Sequence, residues 1–180
     1  LGSSRRESLW ESLADRSPHP LWMGEGDRWH GQQEDVVLSA MSEAEEVIAD
    51  YRAQGLSLKG HPFRFVRERV ARLGAMPAGE ISRASHGQPV TVAGLVLLRQ
   101  RPGSARGVTF VTLEDETGMV NLIVRQQTWD RYRRAAHAAR ALLAFGSLQR
   151  QDGVVHVLTD RLVDLSEVLA DLAIRSRDFR

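Results

Sequence analysis

Three consecutive carboxylates, Glu114, Asp115 and Glu116, lie between the apolar runs of FVTLEDETGMVNLIV, residues 110–124. Carboxylates are the hard oxygen ligands that hold divalent cations for nucleotidyl transfer. Such a site needs them to converge on one point, usually from separate strands. Three neighbours on a tight turn point in different directions. Asp115 and Thr117 are types that bond the local backbone, and Gly118 can take the left-handed conformation a hairpin requires. The triplet therefore reads as an acidic turn, and no metal ligand is assigned to it.

Other catalytic constellations are equally thin. The six histidines, His19, His30, His61, His86, His137 and His156, show no paired metal-ligand spacing. His61 precedes Pro62 and reads as a helix cap. The chain has no GxxxxGK[ST] phosphate loop, and RPGSARG lacks a following helix. No catalytic residue, metal ligand or cofactor is assigned.

Binding chemistry is better represented. Phe110 offers a ring for stacking, Asn121 a polar edge, Ile123 an apolar neighbour, and Arg99, Arg101, Arg106 and Arg125 cations for phosphates. Alternating positions put Asn121, Ile123 and Arg125 on one strand face. Each has a blander reading: Phe110 as barrel core, the arginines of RQRPGSARG as a solvated loop. Arg131, Arg133, Arg134 and Arg140 read as solvated.

The elements that would position these residues follow from periodicity. Ser42 with Glu45 makes a capping box ahead of Val47, Ile48 and Tyr51, with Gly55 as the stop. Pro62 suits the first position of a second helix carrying Phe63, Val66, Val70 and Leu73, ended by Gly74. The two helices, joined by GLSLKGHP, are expected to pack together as a hairpin. Period-two segments then follow: VTVAGLVLLRQ, GVTFVTLEDE and GMVNLIV. QTWDRYRRAAHAAR reads as a helix with Trp129, Tyr132 and Ala136 on one stripe. ALLAFGSLQRQ and VVHVLTDRLVDL complete the set, turning at Gln151-Asp152-Gly153. Five short strands with a helix between the third and fourth make a five-stranded OB-fold barrel. The expected class is α+β, with a short helical N-terminal part before the barrel. The expected divisions are an irregular and helical segment over 1–40, the helical hairpin over 41–75, the barrel over 76–165 and a tail over 166–180. An OB-fold binds single strands across its second and third strands and the adjoining loops.

Bulk properties are compatible with that. Of 180 residues, 42% are hydrophobic and 26% charged, and net charge is +1. Binding of nucleic acid through bulk charge alone is thereby disfavoured. Residues 1–75 hold 10 basic and 12 acidic side chains, and residues 76–165 hold 11 and 8, so the positive excess sits on the barrel. No apolar run approaches the roughly 18–20 residues that span a bilayer. With no Cys there can be neither disulfides nor thiolate metal sites, which fits a cytoplasmic protein. Leu1 in place of Met leads to the expectation of a fragment cut from something longer.

The stretch MSEAEEVIADYRAQGLSLKGHPFRFVR resembles the segment after the fingers in bacterial C-family replicative DNA polymerases, with Gly55 to Pro62 matching a Gly-Leu-x-Leu-x-Gly-His-Pro motif. VTVAGLVLLRQRPGSARGVTFVTLEDETGMVNLIV resembles that family's C-terminal OB domain. The arginine-rich loop, WDRYRR and the terminal RSRDFR are similar to the error-prone, damage-inducible branch. The resemblance implies a polymerase whose catalytic aspartates lie in an upstream palm domain, so no catalytic residue carries over. It also implies that residues 1–40 end the fingers region, and that the OB domain lies near single-stranded template DNA. The implied partners are an inactive Y-family-like polymerase and a recombinase-like accessory protein in lesion bypass. The competing expectation is a protein-docking module, with the barrel, helices or tail holding such mutagenesis partners and DNA contact incidental. Near-neutral charge and the aromatics Trp22 and Trp29 favour docking; the loop arginines with Phe110 favour DNA.

Overall fold

The computed structural model describes residues 41–54, 57–105, 107–151 and 153–175. Helix α1, Glu43–Gln54, starts at the expected capping box: the Ser42 amide donates to Glu45 Oε2 at 2.8 Å, and the Glu45 amide donates to Ser42 Oγ at 3.3 Å. Glu43, Glu45 and Glu46 in its first turn suit the positive end of the helix dipole. Gly55, the expected stop, lies outside the described residues. His61 then caps a turn as expected, its Nδ1 accepting from the Phe63 amide at 3.1 Å.

The single helix expected from Pro62 to Gly74 is instead two pieces. Pro62–Phe65 is a 3₁₀ turn, Val66 breaks the run at φ −111° and ψ 1°, and helix α2 covers Arg67–Arg72. A 3₁₀ turn has three residues per turn, so Phe63 and Val66 line up on one side. Both are buried there, with Val70 and Ala75, against Ala93, Ala141, Leu143 and Leu165. The apolar side of this unit is thus packed on the outside of the barrel. Gly74, at φ +83°, ends α2 as expected.

The barrel is closed in the order β1-β2-β3-β5-β4. Its strands are β1 Pro89–Gln100, β2 Thr109–Asp115, β3 Gly118–Val124, β4 Ala141–Gln151 and β5 Val154–Asp164. The early half of β1 pairs with β4 and the later half with β2, and the parallel β3–β5 ladder completes the ring. At Gly94, where β1 passes between these partners, a Cβ would come within 2.6 Å of the Glu114 carbonyl oxygen. Only glycine allows that approach. A bulge between Val96 and Leu98 then shifts the register.

Inward residues fill the barrel: Val92, Val111, Leu113, Leu122, Leu142, Leu148 and Val157 are among those fully out of water. Each such side chain contributes about 1.5–3 kcal/mol on burial. The connection between β3 and β4 is also two helices, α3 Gln126–Arg131 and α4 Arg133–Ala138, broken at Tyr132. Trp129 and Ala136 enter the barrel core, while Tyr132 is partly buried against it. The Trp129 Nε1–H donates to His137 Nε2 at 2.9 Å and ties the halves together. Helix α5, Ser166–Arg175, follows β5. Among the described residues no helix is long and apolar enough to cross a membrane.

Candidate nucleic-acid interface

Strand β2 alternates strictly. Thr109, Val111, Leu113 and Asp115 are buried, while Phe110, Thr112 and Glu114 are partly exposed on the outer face. Phe110 is therefore outside the core, as its binding reading requires. Its neighbours are set by register. Gln100, Phe110, Ile123 and Leu158 form one row across β1, β2, β3 and β5, and Leu98, Thr112, Asn121 and His156 form the next. With strands about 4.8 Å apart, each row spans roughly 14 Å. Thr112 Oγ1 donates to Asn121 Oδ1 at 2.9 Å, which leaves the Asn121 amide hydrogens for a ligand. Leu98 is 47% exposed.

The expected residues do not all meet on this surface. Phe110, Asn121 and Ile123 lie together, and exposed Arg125 continues the β3 face at the start of α3. Exposed Arg101 follows Gln100 at the end of the first row. Arg106 lies outside the described residues.

Arg99 has a different occupation from the phosphate contact expected of it. It pairs with inward-facing Val111, not with Phe110, because of the bulge in β1. Its Nε donates to the Ala136 carbonyl at 2.7 Å and its Nη2 to the Ala139 carbonyl, at the end of α4. Burial pushes its pKa down, with the Asp164 charge acting in the opposite direction. Arg99 braces the helical cap. Leu98, Gln100, His156 and Leu158 are surface members that sequence reasoning missed. Their signal was the two-residue period carried across paired strands, which needs the bulge and the β3–β5 register to be known.

The acidic triplet is a turn, and it is also a tertiary anchor. Asp115 Oδ1 accepts from the Thr117 amide at 2.8 Å, the Thr117 hydroxyl at 2.6 Å and the Gly118 amide at 3.1 Å. Asp115 Oδ2 accepts from the Ala78 amide at 2.9 Å and Arg67 Nη2 at 2.6 Å. Arg67 also forks onto Glu116, Nε to Oε1 at 2.5 Å and Nη2 to Oε2 at 2.8 Å. The third acid, Glu114, stands 3.6 Å from His61 Nε2. Burial acts to raise the Asp115 pKa, but bonds from Thr117, Ala78 and Arg67 outweigh it and hold the carboxyl below its ordinary value. Bonding to Glu116 leads the upward shift of Arg67. Burial lowers the pKa of His61 against the pull of the three acids. Two of the carboxylates thus serve a guanidinium of the same chain, joining the α2 unit to the β2–β3 turn.

The profile of the OB-fold nucleic acid binding domain matches residues 90–165, from the start of β1 to just past β5. Over 99% of its length the chain is 43% identical to error-prone DNA polymerase 1 of Rhizobium meliloti, covering 16% of that protein. An error-prone DNA polymerase of Rhodopirellula baltica is 41% identical over the whole chain, again 16% of the relative. Among solved structures, an asparaginyl-tRNA synthetase from Pyrococcus horikoshii aligns with a TM-score of 0.43 and 20% identity, over 56% of this chain and 29% of that one. The chain therefore spans about one sixth of the polymerases it matches. By sequence the chain is similar to one segment of the error-prone DNA polymerases, and within it residues 90–165 match an OB-fold nucleic acid binding domain.

Proposed function

We propose that this barrel holds single-stranded template DNA for an error-prone DNA polymerase during synthesis across damaged template. The observation that carries the reading is the outward row Gln100–Phe110–Ile123–Leu158, a partly exposed ring among apolar and amide side chains, with Arg101 and Arg125 exposed beside it. A base stacks on Phe110, the Asn121 amide meets a base edge, and the two guanidiniums take phosphates. The nucleotidyl transfer belongs to the parent polymerase, with its catalytic aspartates upstream. The inactive Y-family-like polymerase and the recombinase-like protein are proposed partners on the strength of the resemblance alone. A cytoplasmic setting follows from the same reading.

One stacked base is worth roughly 1–3 kcal/mol, or about 5- to 150-fold in affinity. Fluorescence anisotropy of labelled oligo-dT across a salt series tests the proposal, with Phe110→Ala and Arg101/Arg125→Ala as variants. Phe110→Ala should weaken binding within that range, and the double arginine variant should flatten the salt dependence. Absence of binding by the wild-type chain at low salt would overturn the proposal in favour of the protein-docking reading.

A further inference from the structure

The arginines of this chain divide sharply by what they touch. Arg64, Arg67, Arg69, Arg72 and Arg83 each have a carboxylate within 4.0 Å. Arg99 and Arg150 are bonded to backbone carbonyls, and Arg161 lies over the Phe145 ring at 4.9 Å. Among the described side chains, those with no anionic or carbonyl partner are Arg101, Arg125, Arg131, Arg133, Arg134, Arg140 and Arg161, of which Arg131 and Arg161 lie over rings. All are exposed, and all but Arg161 of β5 lie on the loop after β1 or on the segment from the end of β3 to the start of β4. That is one end of the barrel. The other end holds the β2–β3 turn, where the acids are already matched by Arg67.

The break at Tyr132 explains why the cluster has no internal neutralisation. Asp130 lies three and four residues before Arg133 and Arg134, the spacing that forms ion pairs on a regular helix. Because α3 ends at Arg131 and α4 starts afresh at Arg133, that geometry is lost, and no ion pair forms. Arg131 instead lies over the Tyr132 ring at 5.7 Å. Arg131, Arg133 and Arg134 line an open cleft of about 530 Å³ with Tyr132. Asp164 and Glu167 also line it. Asp164 Oδ1 is engaged by the Ser166 amide at 2.8 Å and the Ser166 hydroxyl at 2.5 Å. With three arginines and two carboxylates in its lining, the cleft retains an excess of one positive charge.

We infer that the α3–α4 cap is a second phosphodiester site, separate from the stacking rows, along which a bound single strand continues after leaving the sheet. This rests on the DNA-binding reading of the barrel. Arg125 provides the join, since it extends the Asn121–Ile123 face of β3 and immediately precedes α3. Guanidinium forks suit phosphate oxygens, and cap contacts of this kind read no base. The cap extends the length of strand held and leaves the sequence preference of the sheet unchanged.

The test compares oligo-dT of about 6 nucleotides, near the lower bound of the ~4–16-nucleotide site of an OB-fold, with oligo-dT of about 20, beyond its upper bound. Wild type is set against Arg131/Arg133/Arg134→Gln and the charge-retaining Arg131/Arg133/Arg134→Lys. Each lost phosphate contact removes about 0.7 from the slope of log affinity against log salt, so three remove about 2, or about 100-fold at 0.1 M salt. The Gln variant should lose that much on the long oligonucleotide and keep wild-type affinity for the short one. The Lys variant should retain the wild-type slope on both. A wild-type chain that binds neither oligonucleotide overturns the DNA reading itself, and the cap site with it. Wild-type binding with an unchanged slope in the Gln variant overturns the cap site alone. So does equal loss in the Gln and Lys variants, because charge would then not be the cause. An unchanged DNA slope together with lost binding to poly-glutamate would overturn it in favour of an acidic protein partner.

Discussion

Asp115→Asn is nearly isosteric, yet the structure predicts a large destabilisation. The Asp115 side chain has no exposure, and its two oxygens accept bonds from five donors. An asparagine must turn its NH₂ toward one of the two sets. If it occupies the Oδ2 position, it meets the Ala78 amide and Arg67 Nη2, donor against donor. In the Oδ1 position it meets the Thr117 and Gly118 amides. The first orientation loses one neutral bond, worth about 1 kcal/mol, and one charge-assisted bond worth about 1.5–3 kcal/mol. The second loses two neutral bonds, and also leaves Arg67 facing a neutral carbonyl. Orphaned buried donors add to both, so a loss of about 3–4 kcal/mol is expected. At about 2–4 °C per kcal/mol for a chain of this size, the midpoint should fall by about 10 °C. Urea titration and thermal melting of the full chain, followed by circular dichroism, measure this directly. Glu116→Gln, at a side chain 19% exposed, should lose distinctly less. A loss below about 1 kcal/mol in Asp115→Asn would refute the argument that donors on both oxygens forbid the amide.

Two further outcomes follow from the same contacts. Stability should fall with acidification in two steps. The His61 pKa is lowered in the folded chain chiefly by burial, so its contribution is complete above about 6.5 and declines as pH drops below that value. The Asp115 pKa is also depressed, through bonds that outweigh burial, so its contribution is present above about 3.9 and is lost as pH falls through the lower folded value. His61→Asn keeps a capping acceptor without titrating and should remove the first step from a pH series of urea midpoints, while Asp115→Asn should shrink the second. Arg99→Ala should lower stability by about 1–3 kcal/mol through its two carbonyl bonds. Its oligo-dT affinity should stay near wild type, and a variant that weakened DNA binding while melting normally would restore Arg99 to the interface.

The sequence by itself determined the class, the succession of strands and helix along the chain, and the turn chemistry. Alternation in GVTFVTLEDE and GMVNLIV is a local property of neighbouring side chains, and so are the Ser42–Glu45 capping box and the Asp115–Thr117–Gly118 turn. Such patterns survive reading in one dimension because the atoms that interact are a few residues apart. Tertiary structure decided the rest. The 3₁₀ turn at Pro62–Phe65 and the break at Tyr132 arise because Phe63, Val66, Trp129 and Ala136 must each reach a barrel surface, which helix periodicity cannot anticipate. A one-residue bulge in β1 carried Arg99 inward and left Leu98 and Gln100 beside Thr112 and Phe110. Arg67 reaches Asp115 and Glu116 from 48 and 49 residues away, so the partner of the acidic turn could not be found by spacing. Which arginines remain without an anion is likewise a three-dimensional fact. An ion pair depends on where two ends of flexible side chains meet in space, and only the fold brings them together.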